Sequence, residues 1–96
     1  MKKKTQREIC SFFIKKGFNN FLGVPDSTFS EFINYGLKKK KVIITTREEE
    51  AIGIATGISL TENFSLVFMQ NAGFANCLST ITSLVQLYQI PIVFLI

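Results

Sequence analysis

The stretch VIITTREEEAIGIATG, Val42 to Gly57, changes character at its middle. Val42 to Thr46 is β-branched throughout, the composition of a strand covered on both faces in a parallel sheet. Glu48, Glu49 and Glu50 then open a segment that carries no charge from Ala51 to Thr61. Carboxylates in the first turn of a helix complement its macrodipole, at about 0.3–1 kcal/mol each. A buried strand running into a helix of this kind is half of a β-α-β unit, which predicts an α/β fold.

The same alternation extends outward from this stretch. On the N-terminal side, Ile9, Phe12 and Phe13 fall at helical spacing between Thr5 and Lys16, and Gly17 stands where a C-terminal cap belongs. Phe18 to Val24 reads as a strand closed by Pro25. Asp26 and Ser27 are helix N-caps there, and Phe29, Phe32, Ile33 and Leu37 mark the next helix. On the C-terminal side, Ser65 to Met69 is a strand. Asn76 to Tyr88 is a helix with Leu78, Ile81, Leu84 and Val85 inward, and Ile90 to Ile96 is a last strand. The order α-β-α-β-α-β-α-β predicts a parallel sheet with helices on both faces, in one domain spanning 1–96. Ile96 ends an apolar strand that no further element covers, so the domain is expected to be truncated at its C-terminal end.

Composition narrows the function classes. The net charge of +4 comes mostly from Lys2 to Lys4 and Lys38 to Lys41, lysine clusters without the interleaved aromatics and arginines of a nucleic-acid surface. No window approaches the ~18 uncharged apolar residues of a membrane span. Cys10 and Cys77 lie in apolar segments and read as reduced, buried thiols, which points to the cytoplasm.

In open parallel sheets ligands gather beyond the carboxyl ends of the strands. Three sets of residues are expected there: Val24-Pro25-Asp26-Ser27, Arg47-Glu48-Glu49-Glu50, and Gln70-Asn71-Ala72-Gly73 with Asn76 further on. Helical phase separates the glutamates. Glu48 lies above Ala51 and Ala55, whereas Glu49 points with Thr56 to a more polar side, so Glu48 is the one expected to be buried. Burial raises a carboxylate's pKa towards values useful for proton exchange. Gly53 and Gly57 form no phosphate loop and are expected to permit close packing against a neighbouring helix or chain. Taken alone, Gly73 reads as the bend between strand and helix and Asn71 and Asn76 as caps; only the agreement of the three loops makes a site of them.

Taken in order, Gly23-Val24-Pro25-Asp26-Ser27, Thr46 to Gly57, and Met69-Gln70-Asn71-Ala72-Gly73-Phe74-Ala75-Asn76 resemble the pyrimidine-binding domain of thiamine diphosphate enzymes. The nearest resemblance is to the phosphonopyruvate and sulfopyruvate decarboxylase group, and it covers about 17–96. In such enzymes an acidic residue nine positions before a helix glycine hydrogen-bonds N1′ of the aminopyrimidine. Counting back from Gly57 gives Glu48. The resemblance implies that Glu48 is catalytic, favouring the imino tautomer whose N4′ takes the C2 proton, so that the cofactor can attack a 2-oxo acid and CO2 can leave.

The resemblance further implies that Pro25, Asn71 and Gly73 contact the cofactor with Glu48, and that Asp26, Ser27 and Gln70 face the substrate. Its family places Mg2+ and the diphosphate on a second domain, marked by Gly-Asp-Gly and a later Asn, which has no counterpart in this sequence. A partner subunit or domain, an oligomer, and inactivity of this chain alone are therefore expected. The expected substrate is 3-phosphonopyruvate or 3-sulfopyruvate, although Arg47 is the only cationic residue in the three loops. Ala72 and Ala75 stand where relatives usually have Ser and Gly, a departure that bears on substrate handling. A different class stays open, a non-catalytic module that keeps the fold and pairs with another subunit. A generic nucleotide-binding domain is disfavoured, because no glycine-rich phosphate loop follows the first strand.

Overall fold

The computed structural model describes residues 2–86 and 89–96. Four strands, β1 (Phe18–Gly23), β2 (Val42–Ile44), β3 (Phe64–Phe68) and β4 (Ile92–Leu95), pair in parallel in the order β2-β1-β3-β4. The helices are α1 (Lys3–Lys15), α2 (Ser30–Lys38) preceded by a 3-10 turn at Ser27–Phe29, and α3 (Glu48–Ser59). They are followed by the short α4 (Asn71–Asn76) and by α5 (Leu78–Thr80), which runs into a π-helical stretch at Ile81–Gln86.

Alternation along the two central strands builds both cores. Phe21, Leu66 and Phe68 pack with Cys10 of α1, Phe29, and Phe32 and Ile33 of α2. Leu22, Val67 and Met69 pack with Ala51, Ile52 and Ala55 of α3, together with Cys77 and Val85. The fold is therefore α/β with helices on both faces of a parallel sheet, as the sequence predicts. The first core is aromatic, with Phe32 edge-on to Phe21 at 5.3 Å and to Phe68 at 5.8 Å between ring centroids. Such pairs add about 0.5–1.5 kcal/mol to their area burial. Gly23 closes β1 against β3, because a Cβ there would fall 2.5 Å from ring carbons of Phe68.

Three local expectations are corrected. β2 is not covered on both faces: it is a three-residue edge strand, with Ile43 and Ile44 exposed. A β-branched run has the same composition at an edge as at the centre, and here α3 packs over β1 and β3 instead of β2. In α1 the buried face runs through Gln6, Ile9, Cys10 and Phe13, while Phe12 is 54% exposed beside Lys16. The single helix expected from Asn76 to Tyr88 is broken at Cys77 and passes into the π-helical stretch. Leu78 is exposed, Val85 is buried, and Leu87 and Tyr88 lie outside the described residues.

The strand order directs the site. The chain leaves β1 towards β2 on one side and leaves β3 towards β4 on the other, so a crevice opens between the carboxyl ends of β1 and β3. None of the described helices is long and apolar enough to cross a membrane.

Candidate active site

The first loop follows β1. Pro25, Asp26 and Ser27 line an open groove of about 300 Å3 with Ser30, Ile33 and Asn34. Asp26 occupies the N-cap place of the 3-10 turn with extended backbone (φ −143°, ψ 136°), yet its side chain makes no capping bond. Its Oδ2 is buried and has no hydrogen-bond partner among the described residues. The capping role expected from sequence is therefore not performed by this carboxylate. An unmade hydrogen bond at a buried acceptor costs about 1–3 kcal/mol, which a bound donor would recover.

The switch-point crevice holds the second set. Gln70 and Asn71 face Thr28 and Phe29 across a cavity of about 340 Å3, with Ile96 at its edge. Gln70 sits at the N-cap of α4 with φ −82° and ψ 165°, and its side chain does not cap. Asn71 is the first residue inside that helix, so the cap expected of it falls one position earlier. Neither Thr28 nor Phe29 is expected in the site from sequence. Phe29 reads there as a core residue, which it also is, at 2% exposure.

The third set surrounds Glu48, the first residue of α3. Thr45 leads into it by extending the ladder, donating its N–H to Gly23 O at 2.9 Å, and its hydroxyl bonds Arg47 O at 3.1 Å. Glu50 reaches back to accept from the Thr46 N–H at 2.9 Å and from the Thr46 hydroxyl at 3.3 Å, a variant of the capping box. Glu49 lies 3.8 Å from Arg47 in an exposed ion pair. Glu48 alone of the three is half-buried, on the side where Ala51 and Ala55 are fully buried, and its carboxylate makes no hydrogen bond or ion pair among the described residues. Its burial is incomplete because a cavity of about 130 Å3 opens beside it, lined by Arg47, Glu48, Glu49, Asn76 and Cys77.

Gly73 of α4 makes this arrangement possible. A Cβ at Gly73 would stand 2.5 Å from Glu48 Oε1, 2.8 Å from its Cγ and 2.9 Å from its Cδ. The missing side chain thus accommodates the carboxylate, a tertiary relation between residues 25 positions apart in sequence, from 48 to 73. Gly53 and Gly57 behave otherwise: an added Cβ at either meets nothing within 4 Å, so none of the described helices packs against them.

Behind Glu48 lies Cys77, whose thiol pKa is raised by burial first and by the Glu48 charge second. Its Sγ rests 3.8 Å from Met69 Sδ and 3.4 Å from Phe74 O. Both cysteines are free and buried. Among the described residues no three His, Cys, Asp or Glu side chains come together as metal ligands.

These features define an α/β domain that carries an unpaired, half-buried carboxylate and facing polar loops at the carboxyl edge of a parallel sheet. Over the segment compared, the chain is similar to proteins named as alpha subunits of sulfopyruvate decarboxylase. It is 36% identical over 85 residues to a Methanococcus maripaludis protein named sulfopyruvate decarboxylase subunit alpha, a match covering 86% of this chain and 51% of that protein. Proteins of the same name from Methanothermobacter thermautotrophicus and Methanocaldococcus jannaschii match at 39% over 51 residues and 43% over 54 residues. Those matches cover 53% and 56% of this chain and 31% and 32% of theirs. The chain thus spans about half the length, at most, of these relatives. No family model matches it.

Proposed function

We propose that this chain is the pyrimidine-binding part of a thiamine diphosphate-dependent 2-oxo acid decarboxylase, acting on 3-sulfopyruvate or 3-phosphonopyruvate to give the aldehyde and CO2. The names of its relatives favour the sulfonate. The observation that carries the reading is Glu48: a carboxylate at the carboxyl end of β2, half-buried, without a partner among the described residues, and given room by Gly73. Those features suit the aminopyrimidine, because an acceptor left unpaired beside a cavity is complementary to a ring-nitrogen proton.

When bound, thiamine diphosphate supplies the nucleophilic carbon and the electron sink that decarboxylation needs. Glu48 holds or moves the proton at its carboxylate oxygen, and Pro25, Asn71 and Gly73 shape the approach to it. The buried Oδ2 of Asp26 accepts a hydrogen bond from substrate or cofactor, and Ser27 and Gln70 orient the 2-oxo acid. The diphosphate and its Mg2+ are held by a partner domain or subunit, a reading in keeping with the alpha-subunit names of the relatives. The open outer face of α3 at Gly53 and Gly57 offers a surface for such a partner.

The test is reconstitution with a subunit that carries the diphosphate-binding half. CO2 release from 3-sulfopyruvate on mixing, and none from this chain alone, is the expected result. Glu48→Gln abolishes C2 proton exchange of the bound cofactor, and Glu49→Gln leaves it unchanged. Failure of the mixture to bind thiamine diphosphate defeats the reading and favours a pairing module without catalysis.

A further inference from the structure

Gln6 is a buried polar residue on α1, at 4% exposure, and nothing in the proposed chemistry uses it. In a regular α-helix the Phe32 N–H would bond the Thr28 carbonyl four residues earlier. Here that rung is occupied by the Gln6 side chain. The Phe32 N–H donates to Gln6 Oε1 at 2.9 Å, and Gln6 Nε2 donates to Thr28 O at 3.2 Å. A primary amide carries the same donor and acceptor as a peptide, so it satisfies both groups while holding them apart.

The backbone shows the consequence. Phe29 leaves helical geometry (φ −109°, ψ 19°), and the turn before it is 3-10, closed by the Phe29 N–H to Asp26 O at 3.0 Å. Asp26 and Ser27 then face the 300 Å3 groove, while Thr28 faces Gln70 and Asn71 across the 340 Å3 cavity. One residue along, Arg7 pairs with Glu31 at 3.0 Å and fastens the same two helices at the surface.

We propose that Gln6 is a positioning residue of the site: by standing in for the rung between Thr28 and Phe32, its amide sets where Asp26, Ser27 and Thr28 meet the substrate. The identity of that substrate rests on the decarboxylase reading above; the clamp itself does not. Two substitutions separate positioning from mere stability. Gln6→Met keeps the volume and removes both polar atoms. Gln6→Glu keeps both bonds only while protonated, since the neutral carboxyl accepts from Phe32 and donates to Thr28, whereas the carboxylate has no proton for the Thr28 carbonyl. Burial beside a carbonyl disfavours the ionised form, so the clamp is kept by the neutral carboxyl and lost on ionisation. The titratable groups on the surrounding elements are Lys2, Lys3, Lys4, Arg7, Glu8, Cys10 and Lys15 from α1 and its start, and Asp26, Glu31, Tyr35 and Lys38 from α2 and its approach.

In the assembled enzyme, KM for the 2-oxo acid should rise roughly tenfold in Gln6→Met at every pH, with kcat within about twofold. Gln6→Glu should match wild type at low pH and approach the Met variant as pH rises. A Met variant with lowered thermal stability but unchanged KM, or a Glu variant without pH dependence, overturns the proposal. Hydrogen exchange of the same assembly, read over 26–33, provides an arm that needs no turnover. If no 2-oxo acid is decarboxylated, the functional reading falls and exchange alone decides the clamp. Faster exchange over 26–33 in Gln6→Met, with 48–59 unchanged, supports it, and no change or a uniform increase overturns it.

Discussion

Gly73→Ala tests the contact on which the site depends. The new methyl carbon would lie 2.5 Å from Glu48 Oε1, about 1 Å inside an ordinary contact of about 3.5 Å. Overpacking of this size costs about 1–3 kcal/mol, towards the low end because Glu48 is half-buried and its carboxylate can swing into the neighbouring cavity. Against this, Gly73 lies inside α4, where alanine is favoured over glycine by about 0.5–1 kcal/mol. The net effect in the wild-type background is a loss of roughly 0–2 kcal/mol. In a Glu48→Ala background the clash is gone, and the same change should stabilise by about 0.5–1 kcal/mol.

Equilibrium denaturation of the four chains in this double-mutant cycle therefore yields a coupling of about 1–3 kcal/mol between positions 48 and 73. The assay needs neither cofactor nor partner. A coupling within about 0.3 kcal/mol of zero would refute the claim that Gly73 accommodates Glu48. If the coupling is present, the proposed function further requires Gly73→Ala to slow C2 proton exchange of the reconstituted complex by up to about a hundredfold, because displacements near 1 Å are costly at a reacting centre.

Glu50→Ala removes the bond to the Thr46 N–H and should cost about 0.5–2 kcal/mol in denaturant titrations, whereas Glu49→Ala should cost less than about 0.5 kcal/mol. Ser65 Oγ is buried and has no partner among the described residues, so Ser65→Ala should be neutral or stabilising by up to about 1 kcal/mol; a clear destabilisation would reveal a bond not accounted for. Burial pushes the Cys10 thiol up to about 11 from 9.0. A raised pKa means the native state holds its proton longer than the unfolded chain. That stabilisation is complete below about pH 9 and declines as pH rises towards about 11, by at most roughly 3 kcal/mol. Cys10→Ala should flatten this part of the stability profile, measured against wild type in the same buffers.

Several features of the site were legible in the sequence because they depend on local periodicity. The phase of α3 places Glu48 above Ala51 and Ala55 whatever the helix packs on, and the strand before it places the residue at the sheet's carboxyl edge. Asp26 was legible in position but not in behaviour: Asp before a helix is ordinarily a cap, and only the 3-10 turn shows its Oδ2 left unpaired. Phe12 was misplaced because two phases of α1 are nearly equally apolar, and the buried one contains Gln6. An isolated glutamine gives no sign in sequence that a helix 26 residues away, at Phe32, needs its amide.

The sequence by itself determined the order of helices and strands, the α/β class and which glutamate of three turns inward, since each follows from patterns within a dozen residues. Tertiary structure alone decided that β2 is an edge strand, that the crevice opens between β1 and β3, that Gly73 makes room for Glu48 and that Gln6 completes the turn at Thr28. The reason is physical. Periodicity reports what a segment can bury, but its neighbours are set by the sheet order and by contacts between distant parts of the chain.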